Sequence, residues 1–289
     1  MIYPISFCIP ECKIIKEVCV KDRGVAFIIP GKLETYIYKT EKDYYEGYAK
    51  SVFGVTTCKS GWDCMRHYEI LANGCIPWFE NLEDCPPQTM THFPKEIILE
   101  CMKLGKEQTA EQTREISQKL LEYTRTHLTT KAMASYVLKT SGNENAKSVL
   151  YISQDTYSDY LRDLLLHGFK ELFGSKSHDS PRIDFLYTDY PEEKLSTLWG
   201  KGMSYSRLLD PVQHNSSKNT TLIQDIENHV YDCIVYGSVH RGMPYWNKVK
   251  KAYKANEIIL LCGEDIHDYC NYKDFFGNDK DYSLFIREL

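Results

Sequence analysis

Ser51-Val-Phe-Gly-Val-Thr-Thr-Cys-Lys-Ser-Gly-Trp-Asp-Cys-Met-Arg-His-Tyr-Glu-Ile-Leu-Ala-Asn-Gly-Cys-Ile-Pro77 packs a strand, a turn, a helix and a second strand into one short run. Residues 51–57 are β-branched and aromatic, as a strand requires. Lys59-Ser60-Gly61 breaks that pattern, and helical spacing then runs from Gly61 to Asn73 until Gly74 stops it. Cys75 to Phe79 returns to strand character. Strand, helix and strand in succession predict a parallel pair and therefore an α/β fold. Backbone N–H groups at the helix N-terminus, with Lys59, form a place for a phosphate or carboxylate. Arg66 and Glu69 are three apart and share a helix face, with Asn73 one turn beyond Glu69. A guanidinium can grip a diphosphate through two bonds, and a carboxylate can accept both hydroxyls of a ribose diol. By residue type alone the pair reads first as an intrahelical ion pair, worth about 0.2–0.5 kcal/mol.

The same alternation extends in both directions. Before the run, Ile5 to Ile9, Val25 to Ile29 and Thr35 to Tyr38 read as strands, and Glu41 to Lys50 as a helix. After it, Pro94 to Leu104 reads as an apolar helix. Glu107 to Leu138 has no Gly or Pro and predicts one or two more helices. Thr140-Ser-Gly-Asn-Glu-Asn145 is the clearest linker, dividing the chain into an α/β lobe over 1–140 and a second Rossmann-like lobe over 146–289. In the second lobe, strands are expected at 148–153, 183–187, 231–236 and 257–262, with helices at 157–173 and 244–253.

Composition narrows the class. The chain has 289 residues, 43% hydrophobic and 26% charged, with a net charge of −5. That is globular rather than disordered, and no overall basic field invites nucleic acid. No apolar run approaches the roughly 20 residues of a membrane span, and the start lacks a secretory signal, so no transmembrane segment is expected. Eleven cysteines, an odd number without a CxxC pair, predict reduced structural thiols and a cytoplasmic location. The sequons at Asn215 and Asn219 then read as chance matches in a polar loop. There is no Walker A, HExxH or GxSxG pattern.

Arg66-x-x-Glu69 followed by Gly74-Cys75-Ile76-Pro77 resembles the nucleotide-sugar signature of exostosin-like glycosyltransferases. The wider run, with Lys59-Ser-Gly-Trp-Asp-Cys64 and His67-Tyr68-Glu69, is similar to exostosin-like glycosyltransferases of large algal viruses. The likeness is close from Glu41 to about Met102. It implies a GT-B-like fold, with two Rossmann-like lobes facing a cleft. It also implies transfer of a sugar from a UDP-sugar, with UDP-xylose as the candidate, to a glycan hydroxyl in viral glycan synthesis. Transfer would be inverting and metal-independent, with no cofactor beyond the donor. By carry-over, Arg66 meets the diphosphate and Glu69 the ribose, while Lys59, Gly61, Trp62 and Asp63 complete the donor site. The family places this signature in its C-terminal half, behind an acceptor domain. Here it begins about 50 residues in, so the lobe that binds the acceptor stays open.

In parallel α/β sheets, ligands collect outside the carboxyl ends of the strands. Residues there in the second lobe supply the candidates for the base of an inverting transfer, namely Asp155, His240, Glu264 and Asp265. Asp159 and Arg162 read as an ion pair. Asp279-Lys280-Asp281 matches a metal-binding Asp-x-Asp, but its place in a Gly/Asn loop near the C-terminus argues against a metal. Two other functions compete with this reading. One is a catalytically inert glycan- or nucleotide-binding module. The other is a methyltransferase starting at Val149, which lacks the Gly-rich turn such a strand needs.

Overall fold

The computed structural model describes residues 1–105, 108–265 and 282–289. The Asp279 and Asp281 pattern lies outside them. In chain order the N-terminal half has β1 (Ile2–Pro4), β2 (Arg23–Val25), α1 (Glu41–Ala49), β3 (Ser51–Val55), α2 (Met65–Ala72), β4 (Ile76–Trp78) and α3 (Lys95–Leu104). Helices α4 (Ala110–His127) and α5 (Thr130–Thr140) follow. The C-terminal half has β5 (Val149–Ile152), α6 (Tyr160–Phe173), β6 (Ser177–Ser180), α7 (Ser217–Glu227), β7 (Cys233–Tyr236), α8 (Trp246–Ala252), β8 (Ile258–Cys262) and β9 (Ser283–Ile286).

The strands make two wholly parallel sheets, and the chain is α/β. The smaller runs β2-β3-β4; the larger runs β1-β9-β8-β7-β5-β6. Every residue of β5, β7, β8 and β9 is buried, matching their continuous apolar runs. Strand order in the larger sheet turns at β5, with β6 on one side and β7 on the other. That reversal opens a crevice at the carboxyl ends of β5 and β7, the usual ligand position in such sheets.

Several expectations need correction. The first strand is Ile2–Pro4 rather than Ile5 to Ile9, and it joins the edge of the larger sheet beside β9. Residues 33–35 form a 3-10 turn, not a strand. The expected strand at 183–187 is also largely a 3-10 turn, and the true strand is the polar Ser177-His-Asp-Ser180. Its polarity hid it. The presumed loop around the sequons enters α7 at Ser217. Among the described residues nine cysteines are free, but Cys262 is disulfide-bonded, a departure from uniformly reduced thiols. No helix among the described residues is long and apolar enough to cross a membrane.

Local chemistry explains the helix limits. The expected single or double helix after residue 107 is two, because Thr109 and Gln112 form a capping box for α4 while Thr129 caps α5. Helix α5 packs closely on α6 because Gly168 leaves room. A Cβ there would lie 2.1 Å from the Thr130 carbonyl oxygen. One continuous core then joins the halves, including Tyr68, Leu71 and Ile76 with Val149, Tyr151 and Leu164. The opposite face of the larger sheet, with Leu150 and Ile234, packs on Leu222 and Ile226 of α7 and Val249 of α8.

Candidate functional site

The β3–α2 loop is held by buried polar contacts. His67 places Nδ1 2.8 Å from the Thr56 hydroxyl and Nε2 2.8 Å from the Trp62 carbonyl. Burial pushes its imidazole down to about 3, so it is neutral at physiological pH. Asp63 accepts hydrogen bonds from the Phe7 N–H at 2.6 Å and the Tyr68 hydroxyl at 2.7 Å. Burial raises its carboxyl to about 6, even with the Arg287 guanidinium opposing. The Trp62 and Asp63 N–H groups, expected to meet a phosphate, donate instead to Glu288 at 3.1 and 2.9 Å. A Cβ at Gly61 would lie 2.5 Å from a Glu288 oxygen, so a larger residue there would push that carboxylate aside. The Glu288 side-chain carboxylate therefore fills that backbone nest, and Trp62 packs against the core.

The open space lies on the other side of the loop. A cavity of about 410 Å³ is lined by Lys59, Arg66, Glu69, Tyr44, Tyr160 and Lys201, among others. Helix α2 points its N-terminus here, and no side chain caps it. Arg66 is 8% exposed, and its Nη2 donates to the Tyr36 hydroxyl at 2.8 Å. Its Nε and Nη1 are buried with no hydrogen-bond partner. A buried guanidinium with two unpartnered nitrogens is costly unless something else accepts from them. Among the described residues no carboxylate lies within ion-pair distance of it, so the intrahelical pair does not form.

Glu69 lines the same cavity but is already engaged. It accepts from Tyr44 at 2.6 Å and, by a short bond, from Ser204. Burial pushes its carboxyl up, against the two hydroxyls that stabilise its charged form. Ser204 also donates its N–H to Glu41 at 2.6 Å, and the Tyr45 hydroxyl lies 2.7 Å from its Oγ. Glu69 thus ties a segment of the C-terminal half to α1 and α2.

That segment begins Trp199-Gly-Lys-Gly202, with left-handed backbone at Gly200, Lys201, Gly202 and Ser204 (φ +53°, +57°, +71° and +74°). Left-handed Lys and Ser are strained positions of the kind found at ligand clamps. Lys201 faces the large cavity, and Trp199 faces a second one of about 160 Å³. Lys59, Cys64, Met65 and Tyr160 line both.

The smaller cavity sits over the carboxyl ends of the larger sheet and gathers three of the four base candidates, His240, Glu264 and Asp265. His240 Nε2 lies 3.2 Å from Glu264 Oε1 and 3.5 Å from Asp159 Oδ2, while its Nδ1 is buried without a partner. Burial pushes this imidazole down, outweighing both carboxylates. Asp159 caps α6 by accepting from the Arg162 N–H at 3.1 Å and takes the Ser238 hydroxyl at 2.6 Å. Burial would raise it, but Arg162 and His240 hold it below its usual value. The expected Asp159–Arg162 side-chain pair is replaced, because Arg162 pairs with Asp163 at 2.7 Å and Asp155 at 3.4 Å. Asp155 also meets Arg241 at 3.2 Å, and Asp265 is held by Arg287. Two candidates are therefore neutralised by guanidinium groups.

Among the described residues, His178, Asp179 and His214 bring possible metal-ligand atoms within 4.8 Å of one another. The Lys170 ammonium already lies 2.8 Å from Asp179, which also accepts from Tyr187 at 2.8 Å. A cation is thus supplied by the chain itself. Sequence reasoning missed Tyr36, Tyr44, Trp199, Lys201 and Ser204, and the Trp-Gly-Lys-Gly pattern was the one signal available for them. No family model, curated protein or solved structure matches the chain.

Proposed function

We propose that the chain is a glycosyltransferase of GT-B-like organisation that binds a nucleoside-diphosphate sugar in the 410 Å³ cavity. The observation that carries this reading is Arg66, buried with Nε and Nη1 unpartnered beside an uncapped helix N-terminus. A diphosphate supplies the missing acceptors, and Lys59, Arg66 and Lys201 supply enough positive charge to stabilise the leaving group without a divalent ion. The tyrosines around the cavity suit a nucleobase or ribose. UDP is the nucleotide favoured by the resemblance, and xylose the sugar to test first.

The adjoining cavity supports an inverting transfer. An acceptor hydroxyl attacks the anomeric carbon from the face opposite the nucleotide, the glycosidic bond to phosphate breaks, and a base takes the hydroxyl proton. With Asp155 and Asp265 bound to guanidinium groups, His240 and Glu264 are the groups available for that proton. UDP calorimetry with purified wild-type protein and Arg66→Ala tests the donor assignment. Loss of a charged hydrogen bond is worth about 1.5–3 kcal/mol, so affinity should fall roughly ten- to a hundredfold. Equal affinity in both folded proteins would refute it.

A further inference from the structure

Of the four tryptophans, only Trp199 is exposed, at 53%, and it stands at the rim of the smaller cavity. Its ring centroid is 5.8 Å from that of Tyr160, and the Arg241 guanidinium lies over it at 5.9 Å. The chain turns through left-handed backbone at Gly200, Lys201 and Gly202 beside the indole, and a Cβ at Gly200 would lie 3.1 Å from the Tyr160 hydroxyl. An exposed indole is hard to justify by folding, since the ring would gain by burial.

The two cavities also differ in charge. The larger sets Lys59, Arg66 and Lys201 against Glu69. The smaller is lined by Lys59 and Arg241 and by the carboxylates of Asp63, Glu264, Asp159, which meets Arg241 at 3.6 Å, and Asp265, which pairs with Arg287. A phosphate belongs in the first and is repelled by the second. With about 160 Å³, the second falls well below the roughly 300 Å³ of small drug-sized sites, which fits a single ring. A neutral pyranose matches each feature. Its C–H face covers the indole, and its hydroxyls donate to carboxylates. One of those hydroxyls can reach the His240–Glu264 pair.

We infer that Trp199 is the platform of a second subsite that binds one neutral pyranose ring, the acceptor end of the reaction. The acceptor role rests on the glycosyltransferase reading; the binding itself does not. Saturation-transfer NMR with methyl pyranosides of neutral sugars, and methyl glucuronide as the charged control, tests it on the full chain. Neutral pyranosides should show transfer to the wild-type protein with and without UDP. Trp199→Ala should weaken them at least tenfold, Trp199→Phe should retain most binding, and Arg66→Ala should leave them unchanged while weakening UDP roughly ten- to a hundredfold. Glucuronide should bind at least tenfold more weakly than its neutral counterpart. Pyranoside signals absent from the wild type while UDP binds, or equal in Trp199→Ala, would overturn the subsite and leave the donor reading standing. Trp199-dependent pyranoside binding without any UDP binding would sustain the subsite and remove the donor reading. Preferred binding of glucuronide would overturn the neutral-sugar assignment.

Discussion

Arg66 and Glu69 face one cavity from one helix, yet their surroundings differ. Arg66 keeps two nitrogens unpartnered, whereas each Glu69 oxygen already accepts a hydroxyl, from Tyr44 and from Ser204. The open residue is the one that calls for a ligand; the engaged one holds two parts of the chain together. Spacing could show that the two share a face, but Ser204 is 135 residues away from Glu69, and no local pattern records that bond. Asp63 carries a pH consequence. Its buried carboxyl has a folded value of about 6, above the roughly 3.9 of an unfolded aspartate. The folded state therefore holds a proton that the unfolded state has lost between those values. Its contribution to stability is full below pH ~4 and falls as pH rises towards 6. Carboxyl ¹³C NMR should show Asp63 titrating near 6; a midpoint near 4 would refute this. The buried Lys170–Asp179 pair has the opposite sign, because the lysine and His214 hold Asp179 low despite its burial. Its contribution is lost as pH falls through the acidic range. Asp179→Asn, which leaves the ammonium unpaired, should cost about 3–5 kcal/mol in a denaturant titration.

Elements with a strong apolar signature were legible in the sequence. Strands β5, β7 and β8, and helices α2, α3 and α6, lie close to where hydrophobic runs and periodicity put them. The failures at β6 and β1 share one physical cause, dependence on partners distant in the sequence. Strand β6 reads as Ser-His-Asp-Ser, and its Asp179 is satisfied by Lys170, Tyr187 and His214. Edge strand β1 has three residues and owes its pairing to β9 at the far end of the chain. The helix pair α5–α6 offers a direct test of packing. Gly168→Ala would force its Cβ against the Thr130 carbonyl and should destabilise the protein by about 1–3 kcal/mol, read as a lower denaturant midpoint. An unchanged midpoint would mean that the helices can separate freely.

At the scale of the whole molecule, the parallel sheet and the β3–α2 unit bring two cavities side by side. Lys59 and Tyr160 border both. The shared face of Arg66 and Glu69 was legible from their spacing, and three of the four base candidates gather in the neighbouring cavity. The Trp199–Ser204 segment that borders both was not legible, because its role depends on contacts with α1, α2 and Tyr160. On the proposed reading binding and chemistry occupy separate cavities, so His240→Ala and Glu264→Gln should leave UDP affinity within about threefold. Whichever residue is the base should lower kcat by roughly 10²–10⁴-fold when replaced. Full turnover in both variants would place the base elsewhere. The most direct measurement is a crystal structure of the protein with UDP. The account predicts diphosphate oxygens within hydrogen-bond distance of Arg66 Nε and Nη1, in the cavity bordered by Lys59 and Lys201. UDP bound away from Arg66, with those two nitrogens still unpartnered, would contradict it.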